Sequence, residues 1–234
     1  MMAGNDVGLD TPEKRQQMAM LALKDEELLE HIVELLCGKS RLKRQKAASI
    51  VAIISNEDAT VLLPYAEDIC EALNHLEAQT RWEVLHTLDQ IGKVGQRYDE
   101  DTLALAEDAL YDENNGIVRE AAFRFLCGYG SASPENSNEV WPLIDETIQC
   151  FHGNDEFCDM LTHLVEFAQG NISMETSGAL AMRMKFDSET ASGTLRMRSE
   201  QIVDAYTKRG GELKDLDSKS AKKTDSDDGD DFGD

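Results

Sequence analysis

The sequence has few of the residues that interrupt a helix and lacks the motifs that build a catalytic centre. Only 4 of its 234 residues are proline, so long stretches keep an unbroken series of backbone donors. The 5 cysteines, Cys37, Cys70, Cys127, Cys150 and Cys158, are odd in number and include no CxxC pair. That argues against a disulfide framework and predicts buried free thiols. There is no GxSxG elbow, and no serine or cysteine stands beside a histidine in a recognisable arrangement. The glycine runs at 92–95 and 128–130 lack the spacing of a phosphate loop. The N-terminus has neither a basic start nor an apolar run, and no segment approaches the roughly 18 apolar residues of a membrane span. These absences lead to the expectation of a soluble, cytoplasmic, non-catalytic protein that needs no cofactor.

Positive charge is also scarce. Lys and Arg number 23 against 46 Asp and Glu, for a formal charge of -23. Residues 210–234 hold 9 acids and 4 lysines, so the rest of the chain still sets 37 acids against 19 bases. Such a body repels nucleic-acid phosphates and anionic membranes and favours a neutral or basic protein or peptide partner. One stretch departs from this balance. Lys39, Arg41, Lys43, Arg44 and Lys46 place five cations within eight positions. They form a candidate anion patch for an acidic peptide, a phosphate, or the chain's own acidic end, DSDDGDDFGD.

The sequence is rich in repeated helical stripes, and 41% hydrophobic residues suffice to bury them. Arg44, Arg81, Arg119, Phe157 and Arg196 are separated by 37 to 39 residues. Seven residues after them stand Val51, Leu88, Leu126, Leu164 and Val203, and ten after stand Ile54, Ile91, Tyr129, Phe167 and Tyr206. A second set of columns reads Leu29, Ala66, Leu103, Trp141, Ala179, then Ile32, Ile69, Ala106, Ile144, Met182, then Leu36, Leu73, Leu110, Ile148, Phe186. Each set follows one face of an amphipathic helix, so the unit is two helices with a period near 38. Thr11, Pro12 and Glu13 predict the start of a further helix, a cap over the array, running to about Lys24. Turns are predicted at 38–40, 55–58, 92–95, 114–116, 130–134 and 153–155. Pro142 predicts a kink, or a helix beginning only at Trp141. Residues 1–10 and 210–234 are expected to be disordered, the latter because its polar composition cannot bury a core.

In residues 112–126, DENNGIVREAAFRFL, an acidic, Asn-rich turn leads into Val118, Arg119, Ala121, Ala122 and Leu126. This segment resembles the HEAT and armadillo family of helical repeats. Residues 43–51 and 80–88 are weaker copies that keep the arginine, the fourth copy has Phe157 in its place, and the fifth is degenerate. The resemblance covers about residues 25–209. It implies an all-α, right-handed α-α superhelix of about five helix pairs over residues 11–209, and a structural role for the arginines. A monomer or weak dimer is expected. The leading functional reading is a scaffold that binds a protein or peptide on the surface of the second helices. Lys43, Gln45, Lys46, Trp82, Glu83, Glu120 and Arg124 are the candidate contacts, with Trp82 the anchor. Two alternatives remain: an enzyme of the DNA-alkylation-repair or bilin-lyase type, and an acidic immunity or inhibitor protein. Cys150, His152, Cys158 and His163 are weighed as a zinc set and set aside, since core positions suit the cysteines equally well.

Overall fold

The computed structural model describes residues 11–213; the readings of residues 1–10 and 214–234 as disordered lie outside that range. Among the described residues the chain forms eleven α-helices and no strand. Helix α1 (Pro12–Ala22) stands alone. Five pairs follow: α2 (Glu26–Glu34) with α3 (Arg41–Asp58), α4 (Ala66–Glu71) with α5 (Ala78–Lys93), α6 (Glu100–Leu110) with α7 (Gly116–Gly130), α8 (Pro134–Phe151) with α9 (Phe157–Gln169), and α10 (Met174–Thr190) with α11 (Gly193–Lys208). The second helices α3, α5, α7, α9 and α11 stack in one row, and α1 heads it by packing on α3. The first helices form the other layer, and one continuous core lies between the two. The architecture is an α-α solenoid with an N-terminal capping helix.

Local chemistry sets the boundaries. Thr11, Asp25, Asp99, Ser133 and Ser173 each accept a hydrogen bond from a backbone amide of the helix they precede, and Pro12 and Pro134 occupy first-turn positions that need no donor. Gly210, at φ 86°, takes the left-handed conformation that ends α11.

The arginine column ties successive repeats together. Arg44 pairs with Glu77 and donates to the Gly38 carbonyl at 2.7 Å. Arg81 reaches Asp108 at 2.6 Å and Asp112 at 3.3 Å. Arg119 grips both carboxylate oxygens of Glu156 and donates to the Asp112 carbonyl. In every case the acid belongs to the following repeat, so each guanidinium crosses one junction and is largely withdrawn from solvent. Phe157 replaces the guanidinium in the fourth repeat with a ring buried in the core.

Several expectations are corrected. Residues 55–58 are not a turn: α3 runs through them, and Asp58 caps a 3-10 segment that leads through Pro64 to α4. Helix α8 starts at Pro134 rather than Trp141 and continues past Pro142; Asn138, whose carbonyl the proline cannot bond, is exposed and reaches water. The fifth repeat is out of register with the columns assigned to it. Met182 and Phe186 are exposed, Phe186 at 71%, and Arg196 lies outside, bonded to Glu200 at 2.8 Å. The buried residues of α10 and α11 are instead Thr176, Ser177, Leu180, Ala181, Met184, Asp187, Ser188, Ser199 and Ile202. Of the cysteines only Cys127 is buried; Cys37 and Cys70 are half-buried, and Cys150 and Cys158 are exposed. The helical run at 41–74 contains an 18-residue window of mean hydropathy 1.2, which is membrane-like by composition, contrary to the sequence reading. Its apolar side chains are spent on the solenoid core, where 56% of that window is buried.

Candidate functional site

Residues that follow the arginine column line one side of the row of second helices, with Ala121 in the core and Trp82 and Ile53 packed against it. In α5 these are Trp82, Glu83 and His86; in α7 they are Glu120, Ala121 and Arg124; in α3 the same stripe continues as Ser49, Ala52, Ile53 and Asn56. Together with Pro12, Arg15 and Gln16 of α1 and Ile117 of α7 they line an open groove of about 540 Å³. The groove therefore spans four consecutive helices of the row.

A ladder of side-chain bonds crosses its floor. Ser49 donates to Glu83 at 2.9 Å and receives from Gln79 at 3.1 Å. His86 bonds Asn56 through Nε2 at 2.8 Å and Arg124 through Nδ1 at 2.6 Å. Arg124 also faces Asp89 at 3.8 Å, and Lys93 bonds the same carboxylate at 2.8 Å. Further along, Glu120 meets His163 at 3.3 Å. Apart from the Lys93–Asp89 pair within α5, each bond joins one helix of the row to the next, so the wall is held in place before any ligand arrives.

The charges respond to this setting. Burial and the neighbouring Arg124 push the His86 imidazole down to about 4, with Asp89 acting the other way. His86 is thus neutral at pH 7, its Nδ1 accepting from the guanidinium and its Nε2 donating to Asn56. Burial raises the Glu83 carboxyl, and the Ser49 hydrogen bond and the charge of Arg15 draw it part of the way back.

The groove brings together four of the seven proposed contacts, Trp82, Glu83, Glu120 and Arg124. It does not include Lys43, Gln45 and Lys46. Gln45 and Lys46 continue the α3 stripe one turn before Ser49, past the end of the groove, and Lys46 is buried. Lys43 is exposed on another face. The anion patch is likewise divided: Lys39, Arg41 and Lys43 are exposed, whereas Arg44 and Lys46 are buried. Among the four residues weighed for zinc, His152 bonds Asp187 at 2.8 Å and His163 lies between Glu120 and Glu166. Sequence reading passed over His86, Ser49, Asn56 and Arg15. His86 follows Arg81 by five residues, as Arg124 follows Arg119, and that shared register was the signal.

No family model matches this sequence, and no curated protein matches it. Solved structures do. A crystal structure of an engineered protein aligns with a TM-score of 0.62 at 14% identity, covering 87% of this chain and 93% of its own. A designed armadillo repeat protein in complex with the peptide (KR)4 aligns with a TM-score of 0.61 at 15% identity, covering 85% of this chain and 96% of its own. Computationally designed armadillo repeat proteins for modular peptide recognition align with a TM-score of 0.56 at 13% identity, over 84% and 96% of the two chains. At these identities the likeness is one of backbone architecture alone. The chain has the armadillo- and HEAT-like helical repeat fold.

Proposed function

We propose that this protein is a non-catalytic scaffold that binds an extended, positively charged peptide segment in the groove of its second helices. The observation that carries this reading is the composition of the groove wall, where Trp82, Ile53 and Ile117 offer apolar contact beside the carboxylates of Glu83 and Glu120. A lysine or arginine side chain can lay its stem on the indole and set its charge against an acid. The two groove arginines do not cancel this preference, because Arg124 is engaged by His86 and Asp89, and Arg15 acts on Glu83. The formal charge of -23 adds long-range attraction for a cationic partner. The designed armadillo protein of similar fold is itself in complex with (KR)4.

The same peptide provides the test. Titrating (KR)4 and following Trp82 fluorescence in a Trp141→Phe background is expected to give saturable, salt-sensitive binding. Trp82→Ala and Glu120→Gln are each expected to weaken it by about tenfold or more. Absence of saturation at low salt, or variants that bind unchanged, would overturn the reading.

A further inference from the structure

The basic cluster at the start of α3 resolves into two groups with different roles. Arg44 is consumed by Glu77 and the Gly38 carbonyl, and Lys46 is buried. Lys39, Arg41 and Lys43 stay exposed, on a first turn that carries no acidic residue. Two leucines accompany them. Leu42 is 54% exposed between Arg41 and Lys43, and Leu76 is 82% exposed in the connection before α5. The Arg44–Glu77 pair brings the connection that carries Leu76 to the first turns of α3, where Leu42 also stands. This end of the molecule thus exposes three cations and two leucines on a body of net negative charge. Single exposed leucines are ordinary, but two beside three cations offer both halves of a docking surface.

The chain supplies a segment of matching chemistry. Residues 225–234, DSDDGDDFGD, carry six aspartates and one aromatic side chain, Phe232. We propose that this acidic segment docks on the patch of its own molecule, its aspartates against Lys39, Arg41 and Lys43 and Phe232 against Leu42 and Leu76. The span permits it. Four steps along the second-helix row at about 8–10 Å each, combined with one helix length of about 24 Å, separate the end of α11 from the start of α3 by roughly 45 Å. The 17 residue steps from Leu213 to Asp230 can span about 55–60 Å at most. The preference also follows from charge. An acidic segment is repelled by a body of net negative charge, and the patch offers it three exposed cations. This surface is separate from the groove, so the inference stands or falls independently of the peptide-binding reading.

The test uses the full chain, with NMR of the leucine methyls and backbone amides. The reference is compared with a variant in which Asp225, Asp227, Asp228, Asp230 and Asp231 are all changed to Asn. At about 20 mM salt, signals of residues 39–43 and Leu76 are expected to differ between the two, and the differences are expected to fade at about 300 mM. Lys39→Glu with Arg41→Glu and Lys43→Glu should erase the differences. Phe232→Ala should shrink those at Leu42 and Leu76 while leaving those at the cations. Tenfold dilution should change nothing. Identical spectra at low salt, differences located in the groove, or differences that vanish on dilution and so belong to a second copy would each overturn the proposal. So would a short DNA duplex that binds the patch of the unaltered chain with no competition from the acidic segment.

Discussion

Replacing Arg44 with alanine tests the physics of the repeat junctions. The substitution removes a charge-assisted bond to Glu77 and a 2.7 Å bond to the Gly38 carbonyl. It leaves a carboxylate whose side chain is only 12% exposed without a counter-charge. Breaking a buried pair by deleting one partner costs about 3–5 kcal/mol, and the lower end applies because Glu77 retains some solvent. For an array of this size about 3 kcal/mol corresponds to a fall in Tm of about 6–12 °C. The pH dependence supplies a sharper criterion. Burial raises the Glu77 carboxyl, but its bonds with Arg44 and the backbone outweigh that and hold it below its ordinary value of 4.5. In the parent protein this contribution is therefore complete above about 4.5 and is lost as pH falls through the lower folded value. In the variant burial acts without the guanidinium, the folded value rises, and protonation of Glu77 becomes stabilising. The gap between the two proteins is expected to close in acid, as read by urea unfolding followed by circular dichroism. A loss below about 1 kcal/mol, or one constant across the acid range, would refute the reasoning. Arg44→Leu combined with Glu77→Leu should recover most of the loss, because the desolvated charge disappears with its partner.

Other expectations follow from single positions. A Cβ at Gly128 would stand 2.4 Å from Asp89 Oδ1, so Gly128→Ala should displace the buried carboxylate and cost about 1–3 kcal/mol in denaturant unfolding. Thiol labelling in the native state should modify Cys150 and Cys158 first, because they are exposed. Cys37 should follow more slowly, its thiol pushed up to about 11 by burial and by Glu71 and Asp68, and Cys127 should react only on unfolding. Mass spectrometry of the time course reads that order directly. His86 lies near 4 when folded against an ordinary 6.5, so the unfolded chain binds its proton first. Stability should decline as pH drops from about 6.5 toward 4, and His86→Asn should flatten that limb of the curve.

The repeat was legible in the sequence because the core of a solenoid is written as periodic apolar columns. The arginine column was legible too, and the structure supplies what the letters could not, namely that each guanidinium meets an acid from the next repeat. The fifth copy misled because Ser199 occupies a core position. Its hydroxyl donates to the Leu195 carbonyl at 2.7 Å, so a polar residue is buried at little cost and Phe186, which looks like core, faces solvent. The groove was half visible. Trp82, Glu83, Glu120 and Arg124 could be chosen as residues left free by the columns, but His86 gains its place only from Asn56 and Arg124, which lie 30 and 38 residues away. Side-chain bonds between successive repeats, some 30 to 38 residues apart, leave no local pattern to read. The cysteines failed for a related reason: an amphipathic helix has a boundary, and Cys150 and Cys158 fall just beyond it.

The arginine ties bear on how such a chain can change over time. They leave at the register of the arginine itself, toward the next repeat, while in α5 and α7 the groove is surfaced by residues one, two and five places later. One position after this register the first four repeats hold Gln45, Trp82, Glu120 and Cys158. Chemistry that diverse at a single register is tolerable because the fastenings lie elsewhere. Recognition can drift one repeat at a time, and a new ligand preference can be assembled by exchange of surface letters while the joints between modules stay as they are.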